Sequence, residues 1–396
     1  MINLMTFTTL YPNVVEPEHG IFVENRLRFL LASQEVKSRV VAPVAYFPFT
    51  GKVFGRYGTL ASVPRQERRH GVVVDHPRFL SLPNIGTAWT PRLLYLSVRH
   101  QVRKLLRSNP EIRLIDAHYF YPDGVAASYL AREFDLPFAI TARGTDVNLF
   151  TTMAQPRRLI TEAASRAAKV ITVSRALKER LVNIGIAADA IIVLRNGVDL
   201  NRFRPIASNK VGGSQARSRN RIASVGHLVS PKGHDLVIEA LTRIPGAELT
   251  IVGQGPDLAR LRALARDRDV AERVTFLPRI AHAEMVAFYN SVDLTVLASA
   301  REGFANVLVE SLACGTPVVA SAVGGAVEIV GSPSIGTLVA EREPQAMADA
   351  INRQLMNLPD RSTVRSYAEK FSWDKTTAGQ VALFKEIIQQ TPVRSR

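Results

Sequence analysis

Two acidic side chains separated by seven residues, Glu302 and Glu310, bracket the part of this 396-residue chain best equipped for chemistry. An apolar run ends near Ala298, a loop presents Glu302, and a helix starting around Phe304 to Asn306 carries Glu310. At a rise of 1.5 Å per residue, the two carboxylates stand roughly 10 Å apart. They can take opposite ends of one extended ligand, while the free amides of the helix start between them suit a phosphate. That pattern fits a nucleotide-sugar diphosphate, with one acid on the sugar, the other on the ribose and the amides on phosphate. Gly303, Gly315, Pro317, Gly324 and Gly325 surround the pair. A second constellation runs Val225-Gly226-His227-Leu228-Val229-Ser230-Pro231-Lys232-Gly233. A strand enters a glycine turn, and Lys232 stands as a point charge beside the amides of the next helix, a suitable clamp for a diphosphate.

Such residues must be held by a framework, and the sequence supplies one. β-rich runs at 2–8, 38–43, 114–117, 138–142, 170–173 and 191–194 alternate with helical patterns at 22–34, 91–107, 124–135, 156–168 and 175–185. The second half repeats this with strands at 221–225, 248–252, 274–277, 294–298 and 317–320, and helices near 233–243, 256–267, 283–291 and 305–314. Apolar strands alternating with amphipathic helices predict an α/β chain of two doubly wound, Rossmann-like domains. Residues 207–221 are polar, basic and rich in Gly and Ser, which marks a linker. The expected division is therefore a first domain over 1–206, a second over 222–372, and a terminal segment at 373–396 whose helix packs back toward the first domain. Ligands are expected in a cleft where the carboxyl edges of the two sheets face each other.

The formal charge of +15 is uneven. Residues 1–221 hold 32 Lys and Arg against 16 Asp and Glu, leaving 18 against 19 for the rest. A field concentrated in one half attracts polyanions: nucleic acid, anionic lipid or phosphorylated substrates. In the helix expected at 91–107, Arg99, Arg103 and Arg107 recur every fourth residue, and Leu94, Val98, Val102 and Leu105 form an apolar stripe. Such a helix suits an anionic membrane surface, or packs on a core with its basic side in water. The basic stretch from Lys52 to Arg78 reads as a loop excursion. Zinc-finger spacing and aromatic RNA-reading strands are missing, so no nucleic-acid partner is expected. One cysteine, Cys314, rules out an internal disulfide. No apolar run approaches the roughly 18 residues of a membrane span, and the N-terminus lacks a basic leader. A reducing, cytoplasmic setting is expected, peripheral on the inner face of the cell membrane.

Taken together, the chain resembles the family 4 retaining glycosyltransferases of GT-B architecture over nearly its whole length. The carriers are REGFANVLVESLACGTPVVAS, the Gly226–Lys232 turn, Asn196-Gly197-Val198-Asp199 with Phe203 and Pro205, and the Gly324-Gly325 pair. YPNVVEPEHGIFV, DAHYFYPDG and ARGTD resemble enzymes of bacterial surface polysaccharides, including teichuronic-acid-type transferases. The resemblance implies that Glu302 bonds the donor sugar, Glu310 the ribose, and the backbone of Phe304, Ala305, Asn306, Val307 and Leu308 the sugar and phosphates. Lys232 would neutralise the leaving diphosphate, Gly20 would let backbone approach it closely, Gly226 would belong to the donor-binding turn, and His118 would contact the sugar near the reacting carbon. Tyr119, Arg143 and Asp146 would border the acceptor. Where the family carries an Arg, this chain has His227, so either a charged His227 or another base such as Arg279 or Arg301 compensates. The implied partners are a UDP- or GDP-linked sugar and a saccharide or polyprenyl-diphosphate-linked acceptor. No metal or other cofactor is implied, and the lone D-x-D, Asp267-Arg268-Asp269, reads as a solvated surface pair. Rival expectations are a nucleotide-sugar epimerase of the same architecture, a non-catalytic subunit of a polysaccharide assembly and, last, a nucleic-acid binder.

Overall fold

The computed structural model describes residues 1–46, 49, 53, 55–80, 87–206 and 220–391. It divides into two compact units, Met1–Asn196 with Trp373–Arg396, and Gly197–Ser372. Strands of the first unit are β1 (Ile2–Phe7), β2 (Val36–Val41), β3 (Val44–Ala45), β4 (Gln66–Arg69), β5 (Val72–Asp75), β6 (Arg78–Phe79), β7 (Leu114–His118), β8 (Phe138–Ala142), β9 (Lys169–Thr172) and β10 (Ile191–Val193). Eight of them form one sheet in the order β10-β9-β8-β7-β1-β2-β5-β4, and β3 pairs with β6. All its pairings are parallel except β4 with β5. β7 and β8 are buried at every position, as a parallel sheet covered on both faces requires.

The second unit holds β11 (Asn220–Val225), β12 (Ala247–Val252), β13 (Val274–Leu277), β14 (Leu294–Leu297), β15 (Val318–Ser321) and β16 (Gly336–Val339). Their order, β13-β12-β11-β14-β15-β16, is parallel throughout and is the doubly wound order 3-2-1-4-5-6. Both units are therefore Rossmann-like.

Three sequence expectations need correction. The division falls after Asn196, ten residues before the expected boundary. Residues 197–206 join the second unit because Val198 N–H donates to the Phe371 carbonyl at 2.9 Å and Arg365 bonds the carbonyls of Leu200 and Phe203. Of the expected linker, residues 207–219 lie outside the described residues, and Asn220 and Arg221 already belong to β11. The Lys52–Arg78 stretch is not a plain loop either. It holds a helix over Gly55–Ala61 and the β4–β5 hairpin, turned by His70 and Gly71 at φ 47 and 80. Val72 and Val74 bury one side of that hairpin.

The terminal helix Trp373–Gln390 completes the first unit. Val381, Leu383, Phe384 and Ile387 share one core with Val23, Leu27 and Leu30 of the helix Ile21–Ala32. Trp373 stacks on Phe29 at 5.5 Å, and the buried Arg26 donates to Gln380 Oε1 at 3.0 Å and the Leu194 carbonyl at 3.1 Å. Among the described residues, no helix is long and apolar enough to cross a membrane. Truncating the fully buried Phe384 to Ala should cost about 3–5 kcal/mol. Hydrogen exchange read by mass spectrometry should show protection lost in β1, β2 and residues 21–32 while β11 to β16 keep theirs.

Candidate active site

The site grows from the sheet order of the second unit. After β11 the chain moves outward to β12 and β13, and after β14 it moves the other way to β15 and β16. Connections that diverge from neighbouring strands leave a crevice at their carboxyl ends. The two loops opening there are the two chemical stretches of the sequence. Following β11, a short 3-10 turn over Ser230–Lys232 ends at Gly233, from which the helix His234–Leu241 departs. Following β14, residues 298–305 lead to the helix Asn306–Ala313. Ala300 N–H donates to the Pro231 carbonyl at 2.8 Å, tying one loop to the other.

Lys232 Nζ meets Glu302 Oε1 at 2.5 Å, and Ser299 Oγ donates to the same oxygen at 2.7 Å. Lys232 is 30% exposed at its side chain and Glu302 only 9%. An ammonium has three donors and a carboxylate about four acceptor positions, so both groups keep capacity for a ligand. Glu302 cannot drift, because glycine backbone lies against it. A Cβ on Gly324, at φ 50, would stand 2.1 Å from the Glu302 carbonyl oxygen, and one on Gly325 would stand 2.6 Å from that of Gly303. Arg342 further fixes the strand end, donating to the Ala298 carbonyl from Nε at 3.2 Å and Nη2 at 3.0 Å.

Past Glu302 the side chains of Phe304, Ala305 and Leu308 are buried. No side chain caps the helix Asn306–Ala313, and Asn306 and Leu308 N–H groups fold back on the Phe304 and Ala305 carbonyls, both at 3.0 Å. Asn306, Val307 and Glu310 are half-buried.

Glu310 is aimed by groups that sequence reasoning missed. Arg202 Nη1 lies 3.1 Å from His282 Nδ1, and since a guanidinium only donates, Nδ1 must accept. His282 therefore carries its proton on Nε2, which donates to Glu310 Oε1 at 3.2 Å. The other oxygen, Oε2, accepts from Tyr289 Oη at 3.2 Å. Phe203 packs on both rings, at 5.1 Å from His282 and 6.4 Å from Tyr289. Each carboxylate oxygen retains a lone pair for a further donor. Burial, then the Glu310 charge, hold the Tyr289 phenol well above its usual range, so it stays a donor.

Other expected donor contacts lie nearby or apart. Gly226 follows β11, and a Cβ there would meet only ordinary contacts at 3.6 Å or more. His227 and Arg279 are exposed, Arg279 just beyond β13. Beneath this edge lies another missed group, His234, whose Nδ1 is 2.9 Å from Ser224 Oγ. Burial pushes it down to about 4. Gly20 belongs to the first unit, where at φ 70 it opens the helix Ile21–Ala32; a Cβ there would stand 2.3 Å from the Leu10 carbonyl. Its need for glycine is met by that packing alone.

In the first unit the structure changes the expectations for His118 and Asp146. His118 ends β7, is 1% exposed, and has both ring nitrogens engaged. Arg143 Nη2 donates to Nδ1 at 2.6 Å, so Nε2 carries the proton and donates to Asp116 Oδ2 at 3.1 Å. No ring nitrogen is left for a sugar. Burial pushes His118 down to about 4, which keeps it neutral at pH 7. Asp146 is fully buried and accepts from the amides of Phe120, Arg143, Gly144 and Val147 at 2.6–3.1 Å, so it holds a loop and does not border an acceptor. Arg143 also donates to Asn196 Oδ1 at 3.0 Å and lies 5.4 Å from the Phe22 ring. Tyr119 starts the turn after β7 at φ 78, its N–H on the Thr141 carbonyl at 2.9 Å. In the same turn, Asp123 pins the segment after β1 through Thr8 Oγ1 and Thr9 N–H, at 3.2 and 2.7 Å.

Comparison with known proteins adds the following. The family model for glycosyltransferase family 4 matches residues 36–202, and that for glycosyl transferases group 1 matches residues 209–371. An uncharacterised glycosyltransferase of Methanocaldococcus jannaschii is 26% identical over 360 residues, covering 88% of this chain and 98% of its own. A D-inositol 3-phosphate glycosyltransferase of Mycobacterium marinum is 33% identical over 58% of this chain, a match that spans 50% of that relative's length. Among solved structures, sucrose-phosphate synthase from Thermosynechococcus elongatus superposes with a TM-score of 0.79 at 20% identity, covering 98% of this chain and 99% of its own. Anabaena HepE in complex with UDP and glucose superposes with a TM-score of 0.73 at 21% identity, covering 98% and 100%. These structural likenesses show a GT-B fold.

The two buried histidines give a pH test. Unfolded, each titrates near 6.5, and folded near 4, so their stabilisation is complete above 6.5 and is lost as pH falls through that window. Asp123 acts in the opposite sense. Burial lifts it from 3.8 to about 7, so its contribution is full below 3.8 and is lost as pH rises through 7. Ring resonances of His118 and His234 in NMR should keep their neutral positions from pH 7.5 down to 5. Titration of either near 6.5 would contradict the buried geometry.

Proposed function

The chain belongs to the glycosyltransferases of family 4 and group 1, and from that membership we propose that it moves a sugar from a nucleoside diphosphate to an acceptor with retention of anomeric configuration. The observation that carries this reading is the Lys232–Glu302 pair at the carboxyl ends of β11 and β14. Breaking the bond from sugar to diphosphate leaves positive character on the anomeric carbon and negative charge on the departing oxygens. Lys232 is suited to stabilise that leaving charge. Glu302 orients the sugar by accepting from its hydroxyls, and Glu310, aimed by His282 and Tyr289, accepts from the ribose.

With Glu302 on the sugar's hydroxyls and not beneath the anomeric carbon, no side chain is assigned as a covalent nucleophile. The reaction is therefore front-face, with the leaving phosphate assisting deprotonation of the acceptor. His118 enters as the support that fixes Arg143 on the acceptor side. No metal is assigned a part. Asp267 and Asp269 are exposed at the end of the helix Leu258–Asp267, ahead of β13 and away from the strands' carboxyl ends.

For the donor, a UDP-linked hexose is the first candidate, since HepE was solved with UDP-glucose; a GDP-linked sugar is the second. The acceptor is a saccharide, carried on a polyprenyl diphosphate in bacterial polysaccharide or glycoconjugate synthesis. That last step rests on the excess of 16 positive charges in residues 1–221, which suits a lipid-linked diphosphate at the inner face of the membrane.

A thermal-shift screen over UDP, GDP, ADP, CMP and their sugars should single out one nucleotide by stabilisation of the folded chain. With the donor so identified, Lys232→Ala should lower kcat/KM by roughly 100- to 1000-fold, the usual loss for one charge-stabilising group. Glu310→Gln should chiefly raise the donor KM. The product anomer, read by NMR, should match the donor's, and EDTA should leave turnover unchanged. An inverted product, or donor epimerised with no acceptor present, would refute the reading.

A further inference from the structure

The stripe expected from sequence to meet a membrane, Arg99, Arg103 and Arg107, is divided by the structure. Arg103 pairs with Glu133, whose other oxygen accepts from Tyr95 Oη at 2.7 Å, and its guanidinium lies 5.8 Å from the Phe134 ring. Arg99 is half-buried, with Nε shielded from solvent. Arg107 alone of the three is exposed. A different face looks outward. In the helix Thr90–Ser108, Leu94, Val98, Val102 and Leu105 are buried, and opposite them Arg92, Leu96, His100, Lys104 and Arg107 are exposed.

The exposed face is not uniformly polar. Trp89, at the helix start, is 61% exposed and Leu96 is 43% exposed, one to two turns along the same side. Leu80, 46% exposed, is drawn alongside by its N–H to Ser97 Oγ at 3.3 Å. Trp89 and Leu96 thus flank Arg92 toward one end of the face, and Lys104 and Arg107 stand toward the other, over roughly 27 Å. Between Asp75 and Glu111 the sequence has six Lys and Arg and no acidic residue.

We propose that this face, led by Trp89 and Leu96 with Lys104 and Arg107, docks the protein flat on an anionic lipid surface. Indole and leucine side chains enter the headgroup boundary, and the cations meet lipid phosphates. A nucleic acid would satisfy the cations but leave Leu80, Trp89 and Leu96 in water. The proposal deepens the acceptor-side part of the preceding reading, naming the surface that meets the membrane, and is independent of the transfer chemistry.

The chain has two tryptophans, and the second, Trp373, is buried away from any lipid, so a change of indole emission on vesicle binding reports on Trp89. Vesicles of equimolar phosphatidylglycerol and phosphatidylcholine should shift the emission to the blue and carry the protein in flotation. Pure phosphatidylcholine should do neither, and salt at about 0.5 M should release the protein. Trp89→Phe should abolish the spectral shift. Reversing both Lys104 and Arg107 to Glu should weaken vesicle binding by roughly 25-fold or more, at about fivefold per charge. Stabilisation by the donor nucleotide should persist in both variants, which shows them folded and keeps a failure here separate from a failure of the transfer reading. Equal binding to both vesicle types, a shift that survives Trp89→Phe, no effect of the double reversal, or tighter retention of duplex DNA than of vesicles would each overturn the proposal.

Discussion

An ammonium and a carboxylate 2.5 Å apart, on loops that leave two different strands, set the terms for the second unit. Neither loop reaches that geometry alone. β11 and β14 must be neighbours so that their carboxyl ends open side by side. The loop after β14 must lie flat enough for Gly324 to sit against the Glu302 carbonyl, which no residue with a Cβ allows. The Ala300–Pro231 bond and the Arg342 contacts to Ala298 then hold the two loops in register. A partly dry ion pair loses solvation that its own attraction only partly returns, so its value lies in orientation more than in stability. Here it keeps a cation and an acceptor poised at one point of the sheet edge.

The two units use buried charge in contrasting ways. In the second, Lys232, Glu302 and Glu310 remain partly open and retain hydrogen-bonding capacity. In the first, His118, Asp116, Arg143 and Asp146 are nearly sealed, and their polar atoms are largely spent on one another and on backbone amides. Neutralising His118 removes one charge from a cluster that already holds Arg26 and Arg143, whose guanidinium groups repel. The first arrangement suits binding and chemistry, the second suits shaping a wall.

Much of this was legible in the sequence where the signal is local. The alternation of apolar strands and helices prescribes both sheets, and Glu302, Glu310 and Lys232 announce themselves through short spacings beside glycines. What stayed hidden depends on contacts between distant segments. Nothing near Glu310 in sequence points to His282, Tyr289 or Arg202, which converge on it only through the fold. The unit boundary is hidden because residues 197–206 are fastened by distant partners, Arg365 on the Leu200 and Phe203 carbonyls and His282 and Tyr289 against Phe203, which no local pattern announces. Arg99, Arg103 and Arg107 do recur with helical period, but period gives a face and not its exposure. Glu133, on another helix, decides that.

The terminal helix adds a consequence for how the molecule is made. Its side chains close the core formed by β1, β2 and the helix Ile21–Ala32, though it is synthesised only after the elements of both units that precede it. The first unit therefore leaves the ribosome with an apolar face still uncovered, while the second unit, continuous from Gly197 to Ser372, can complete itself before that helix emerges. The unit that is translated first is the one that matures last, and the helix Trp373–Gln390 is its closing stitch.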